Sequence, residues 1–208
     1  MIIIKIYIDF DGTLFDSTKL CKEFINIFNK DNINKLYIEK TINKAYEKDK
    51  NFDTLAKKIV KDNNLDLNIL NDINNIYSQK LIFKDVIPFL EKYYQKYDLI
   101  LLTLGNKNFQ QKKIYSSNIN KYFKDIIITD KDKSKLNINY SNSIFIDNNP
   151  IELKKFYNSN AKYLIRIKRD TDKYSKLNLD INNIPEYKDF NELLNSNYID
   201  KIGETYYE

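Results

Sequence analysis

Residues 1–18 read MIIIKIYIDFDGTLFDST. A nearly unbroken apolar run ends in two carboxylates, Asp9 and Asp11, followed by Gly12 and Thr13. Asp-Gly between alternating apolar residues is a strong hairpin signal, so Asp11-Gly12 has one reading as a two-residue turn. In the other reading, the acids stand past the C-terminal end of a buried parallel strand, where α/β sheets place ligands and metal ions. An EF-hand loop is excluded: its glycine belongs at the sixth position, whereas Gly12 is fourth counting from Asp9.

Working outward, four more short apolar runs read as strands: residues 99–103, 126–128, 144–147 and 163–167, with the first at 2–8. None alternates cleanly, as expected of strands covered on both faces. Helical stretches are predicted at 85–97, 106–117 and 150–158, the last opened by Pro150. Strands alternating with helices predict an α/β fold with a parallel, Rossmann-like sheet. Residues 17–82 break the pattern. They hold no strand-like run, and Leu20, Phe24, Ile27 and Phe28 fit one helical face, Phe52, Leu55, Ala56, Ile59 and Val60 a second, Leu70, Ile73, Ile76 and Tyr77 a third. About four helices inserted after the first strand are expected. The division is therefore a core of residues 1–16 and 83–208 and a helical insert of 17–82. Residues 198–208 read as a frayed tail.

The 208 residues are 42% apolar and 30% charged, which predicts a globular chain with a real core. The longest apolar runs are too short to span a bilayer, and the first residues lack a secretory pattern. A single cysteine, Cys21, forms no internal disulfide and favours a reducing, cytoplasmic setting. No histidine occurs, which removes Ser-His-Asp and Cys-His catalysis and His-ligated zinc or haem. With glycines only at 12, 105 and 203, neither a GxGxxG nor a GxxxxGK loop can be written. The net charge of +5 is compatible with nucleic acid, but its densest basic cluster, RIKR at 166–169, reads as a solvated strand end. Nucleic acid is not the expected partner; an acidic small molecule is.

The strand ends carry the chemistry. After the first come Asp9, Asp11 and Thr13; the second ends in Thr103, Leu104, Gly105 and Asn106; the third is followed by Lys131, Lys133 and Lys135; the fourth ends in Asp147, Asn148, Asn149 and Pro150. In this order (DFDGT, LLTLGN, DKDKSK, FIDNNP) the sequence resembles the haloacid dehalogenase (HAD) superfamily of phosphohydrolases. The insert at 17–82 lies where that superfamily carries a helical C1-type cap. The hairpin reading leaves the later strand ends unexplained, so the catalytic pair is preferred.

The resemblance implies Asp9 as the nucleophile of an aspartyl-phosphate mechanism, Asp11 as acid and base, Thr103 on phosphoryl oxygens, and Lys133, rather than Lys131 or Lys135, beside Asp9. It implies Thr13, Gly105 and Asn106 at the substrate. It further implies Mg²⁺ held by Asp9, the Asp11 backbone carbonyl, Asp147 and Asn148, with Glu152 as an alternative. Asn148 departs from the pattern, since many relatives carry a second acid there. The function expected is a Mg²⁺-dependent phosphatase acting on a small phosphorylated metabolite, nucleotides among them. A phosphomutase is the near alternative, and a non-catalytic binding or regulatory protein the distant one.

Overall fold

A computed structural model describes residues 4–29, 33–48 and 52–205. Its centre is a six-stranded sheet in the order β3-β2-β1-β4-β5-β6. The strands are β1 (Lys5–Ile8), β2 (Asp98–Leu104), β3 (Asp125–Thr129), β4 (Ser143–Asp147), β5 (Tyr163–Ile167) and β6 (Glu186–Tyr187). All pairings are parallel. The short apolar runs became strands because both faces are covered: Ile6, Ile8, Leu99 and Leu101 point into one layer, Tyr7, Ile100, Leu102 and Phe145 into the other.

The chain leaves β1 toward β2 and β3 on one side and returns to β4, β5 and β6 on the other. The order therefore reverses between β1 and β4. In open α/β sheets the crevice beyond the carboxyl ends at such a switch is where ligands bind. Asp9 follows β1, and Asp147 is the last residue of β4.

Beyond Asp9 the chain makes a tight loop, not a free hairpin. Gly12 donates to Phe15 O at 2.8 Å with φ of +84°, and Leu14 donates to Phe10 O at 2.9 Å. Phe15 then bridges antiparallel to Ile82, with Asp16 N on Leu81 O at 2.7 Å and Phe83 N on Leu14 O at 3.1 Å. These bonds pin together the two ends of the segment between. That segment contains α1 (Ser17–Asn29), α2 (Lys35–Lys48), α3 (Phe52–Asp62) and α4 (Ile69–Ile76), and no strand among its described residues. α1 packs on α2 and α4, and α3 on the same two. The buried faces match the periodicity, with Leu20, Phe24 and Phe28 on α1 and Leu55, Ala56, Ile59 and Val60 on α3.

The core helices are α5 (Val86–Tyr93), α6 (Lys107–Ser116), α7 (Pro150–Asn158), α8 (Phe190–Ser196) and α9 (Tyr198–Thr205). α5 stops short of the expected 85–97, although Tyr97 remains buried. Two expectations are corrected. Residues 198–205 form α9 instead of fraying: Ile199 and Ile202 are buried, and Asp200 pairs with Lys92 at 2.9 Å and Lys96 at 2.6 Å. Within the RIKR segment Lys168 stays partly exposed, but both arginines turn inward. Arg166 is fully buried and bonds Glu186 at 2.9 Å and Tyr174 O at 2.8 Å. Arg169 is buried against Asp85 at 2.9 Å, under the Phe83 ring. The planar guanidinium groups aim in-plane donors at carboxylates and carbonyls, while the buried Nε of Arg169 has no partner among the described residues. Among the described residues no helix is long and apolar enough to cross a membrane.

Candidate active site

Three charges meet beyond β1 and β4. Lys133, on a single 3-10 turn (Lys133–Lys135), donates to Asp9 Oδ1 at 2.5 Å and Asp147 Oδ2 at 3.0 Å. The turn is capped by Asp132, whose side chain accepts from Ser134 N at 3.0 Å. Lys133 is 3% exposed and lies against Asp9 and Asp147, whereas Lys131 and Lys135 are exposed. Two carboxylates share one ammonium, so the cluster carries an excess negative charge out of water. Burial, and next the neighbouring Asp147 carboxylate, push Asp9 up to about 7 against the pull of Lys133. Burial also raises Asp147. For Lys133 burial disfavours the ammonium, but Asp147 and Asp9 outweigh it and raise its pKa.

Asp11 sits apart, in a second ion pair. Lys113 on α6 donates to both its oxygens, at 2.5 and 2.7 Å. Gln110, one turn earlier, adds Nε2 to Asp11 Oδ2 at 2.8 Å, and Ser17 at the start of α1 adds its hydroxyl to Oδ1 at 2.6 Å. Burial alone would raise the Asp11 carboxyl; Lys113, helped by Ser17 and Gln110, outweighs it and holds it below the usual range. Burial lowers the Lys113 ammonium in turn, with Asp11 opposing. Gln110 Nε2 also lies 3.0 Å from Thr103 Oγ1, so one amide touches both Asp11 and Thr103.

A third set holds Asn148. Its backbone N–H donates to Thr13 Oγ1 at 3.0 Å and its Nδ2 to Asp172 Oδ2 at 2.7 Å, which turns Oδ1 toward Thr13 at 3.3 Å. The Thr13 hydroxyl also lies 3.2 Å from Asp9 Oδ2. The close approach of Asn148 is why position 12 is glycine: a Cβ there would fall 2.2 Å from Asn148 Nδ2, besides the strain of its positive φ. Arg169 completes the support by donating to Thr13 O at 2.9 Å.

These groups open on a cavity of 530 Å³, lined among others by Asp9, Asp11, Thr103, Lys133, Asp147 and Asn148. Three residues expected at substrate serve as braces. Thr13 is fully buried between Asp9 and Asn148. Asn106 caps α6 by accepting from Phe109 N at 3.0 Å. The Gly105 N–H is taken by Thr129 O at 2.9 Å. Gly105 and Asn106 still border the cavity. Glu152 borders it too, with Oε1 on Lys155 at 2.7 Å and the buried Oε2 unpartnered. Sequence reasoning missed Lys113, Gln110 and Asp172. A signal existed for the first two: Phe109, Gln110, Lys113 and Ile114 share one face of α6, so two polar side chains occupy a stripe that faces inward.

No family model and no curated protein matches the chain. Solved structures do. A HAD phosphatase from Thermococcus onnurineus is 18% identical with a TM-score of 0.60, covering 93% of this chain and 97% of its own. An L-2-haloacid dehalogenase is 14% identical with a TM-score of 0.62, covering 94% and 99%. The chain has the HAD-like fold. A HAD hydrolase from Bacillus subtilis, bound to magnesium, is 13% identical with a TM-score of 0.60 over 93% and 98%. The HAD-like fold thus extends over the helical segment as well as the sheet, and proteins described as phosphatases and as dehalogenases share it.

Proposed function

We propose that the protein is a Mg²⁺-dependent phosphatase that hydrolyses a small phosphomonoester through an aspartyl-phosphate on Asp9. The observation that carries this reading is the buried Asp9–Lys133–Asp147 cluster at the sheet's switch point, with a second carboxylate, Asp11, on the same cavity. A dehalogenation at Asp9 needs no such second acid; hydrolysis of a phosphoenzyme needs a base for the incoming water.

The donors around Asp9 suit a hard cation. Asp9, Asp147 and the Asn148 amide oxygen are all oxygen ligands, and Asp172 holds the amide with its oxygen turned inward. Among the described residues no three His, Cys, Asp or Glu side chains gather for a metal, so the proposed ion would take few carboxylates and keep several waters. These three residues and the Asp11 carbonyl would hold the ion, which when bound neutralises phosphoryl charge. Lys133 orients Asp9 and balances the phosphoryl oxygens; Thr103 donates its hydroxyl to them. Asp9 forms the bond to phosphorus as the ester oxygen leaves. Asp11, ionised beside Lys113 at rest, must first take up a proton, which the incoming phosphoester dianion favours; it passes that proton to the leaving oxygen and later removes one from water. The helices of 17–82 act as a cap that closes the cavity and selects the substrate.

The test is a panel of phosphomonoesters assayed with Mg²⁺ and with chelator, beside 2-chloropropionate. Phosphate release that needs Mg²⁺ and vanishes in Asp9→Asn supports the reading. Chloride release without phosphate release overturns it.

A further inference from the structure

Asp11 has more partners than a free acid–base group requires. Each oxygen accepts two hydrogen bonds: Oδ1 from Ser17 and Lys113, Oδ2 from Gln110 and Lys113, at 2.5 to 2.8 Å. Two of the three donor residues come from one face of α6. Lys113 is only 3% exposed, and its Nζ lies between the rings of Phe109 at 4.8 Å, Phe10 at 5.3 Å and Phe15 at 5.3 Å. In that apolar surround Asp11 is the one carboxylate it bonds among the described residues. An ammonium so placed has no structural task at the surface, and burying it is costly unless its partner is fixed. Gln110 adds a link, because its Nε2 spans Asp11 Oδ2 and Thr103 Oγ1.

We propose that Gln110 and Lys113 are positioning residues. They fix the Asp11 carboxylate in the cavity wall and join it to Thr103, so that the proton-transfer group and the phosphoryl-binding hydroxyl keep one spacing. This rests on the phosphatase reading and deepens it: α6, which follows the Thr103 strand end, sets the geometry of a residue carried by the β1 loop. The same helix docks the cap. Phe109 stacks on Phe52 of α3 with centroids 5.4 Å apart, and Lys112 pairs with Asp53 at 2.8 Å and with Asn74 at 2.7 Å. Successive residues of α6 thus face the cap and Asp11.

The experiment is a double-mutant cycle on Lys113→Met and Asp11→Asn, with the single variant Gln110→Met, assayed on an activated aryl phosphate and on an alkyl phosphate. Methionine keeps the length and apolar stem of lysine without its charge. If Lys113 acts by placing Asp11, Lys113→Met lowers kcat on the alkyl ester by roughly a hundredfold, the low end of what a positioned proton donor supplies, even though the lost ammonium also lets the Asp11 carboxyl keep a proton more readily. The loss on the aryl ester is several-fold smaller and KM stays unchanged. In the Asp11→Asn background the same substitution costs nothing further, since its target is gone. Asparagine at 11 also removes the carboxylate that Lys113→Met strands in the interior, so the double variant folds where the single one is weak; thermal melts check this. Additive losses, equal losses on both esters, or a raised KM would overturn the proposal and make Lys113 a general structural or substrate-binding group. A wild type that hydrolyses neither ester overturns the phosphatase reading itself. Activity unaffected by Asp11→Asn overturns the role of Asp11, on which this inference stands.

Discussion

Replacing Asp9 by Asn should stabilise the fold while it abolishes turnover, and the stabilisation should grow with pH. The reason lies in the buried cluster of two carboxylates and one ammonium. Asp9 is raised from 3.8 to about 7, first by burial and next by Asp147. Between those values the folded state holds a proton that the unfolded chain has released. Stability therefore falls as pH rises through this window and levels off above about 7. At ~1.4 kcal/mol per pH unit, the two units from about pH 5 to about pH 7 amount to a loss of roughly 3 kcal/mol, an upper bound because buried clusters relax. An asparagine has no proton to lose. Its advantage over wild type should then widen by about 2–3 kcal/mol between pH 5 and 8, which for a chain of this size is roughly 4–12 °C in Tm. The assay is a set of thermal melts of both proteins from pH 5 to 8 in chelator, beside hydrolysis of an aryl phosphate with Mg²⁺. A Tm difference that is constant over this range would refute the charge argument. Near-wild-type turnover in the variant would refute Asp9 as nucleophile.

Three further outcomes are expected. Arg169→Met strands Asp85 and frees Thr13 O, and should cost about 3–5 kcal/mol in urea unfolding, as breaking a buried pair does; a loss under ~1 kcal/mol would show the pair to be dispensable. Gly12→Ala meets both a φ of +84° and the Asn148 amide, and should lower Tm and reduce activity together, whereas unchanged melts would mean that the loop can shift. Asn148→Asp sets a carboxylate against Asp172 where an amide now donates at 2.7 Å. It should lower Tm in chelator, recover it with Mg²⁺, tighten Mg²⁺ binding by calorimetry, and raise KM for the phosphoester by repulsion. Unchanged calorimetry would remove Asn148 from the cation's neighbourhood.

The sheet was legible because parallel strands buried on both faces leave unbroken apolar runs, and the strand ends were legible because position in such a sheet dictates where polar side chains meet. Lys133, Asp147 and Asp9 come together for that reason. What could not be read was which polar residues of the helices and late loops turn inward. Lys112 and Lys113 are identical neighbours in sequence, yet one spans to Asp53 and the other lies under Phe109 against Asp11. A rotation of 100° about the helix axis separates them, and only the packing of α6 fixes which faces the core. Arg166 and Arg169 were misread for a related cause. Charge in sequence predicts solvent, unless carboxylates and carbonyls elsewhere in the chain close round it, and the partners of these two lie 20 and 84 residues away. The two-residue β6 was too short to register; α9 carries its apolar pair Ile199 and Ile202 three residues apart but was read as a tail, and it is ordered by burying that pair and by bonds to Tyr93, Lys92 and Lys96 of a distant segment.

Charge in the cavity supports the cation proposed above. Asp9, Asp11, Asp147, Glu152 and Asp172 line it against Lys113, Lys133 and Lys173, five formal negative charges against three positive. A surface that is basic overall thus narrows to a cavity that is acidic within. A phosphomonoester dianion entering it would meet net repulsion, and two of the three lysines are already committed to aspartates at 2.5 to 3.0 Å. Lys133 can face a phosphoryl oxygen only while it keeps its aspartates, and moving Lys113 to the phosphate would strand the Asp11 carboxylate. A divalent cation of the kind proposed would resolve the conflict: it would supply two charges without breaking either pair, and would draw the Asp9 carboxyl, now raised to about 7, back toward the ionised form that the proposed nucleophile needs. The same protein groups that repel a bare phosphate are the hard oxygen ligands such a cation takes.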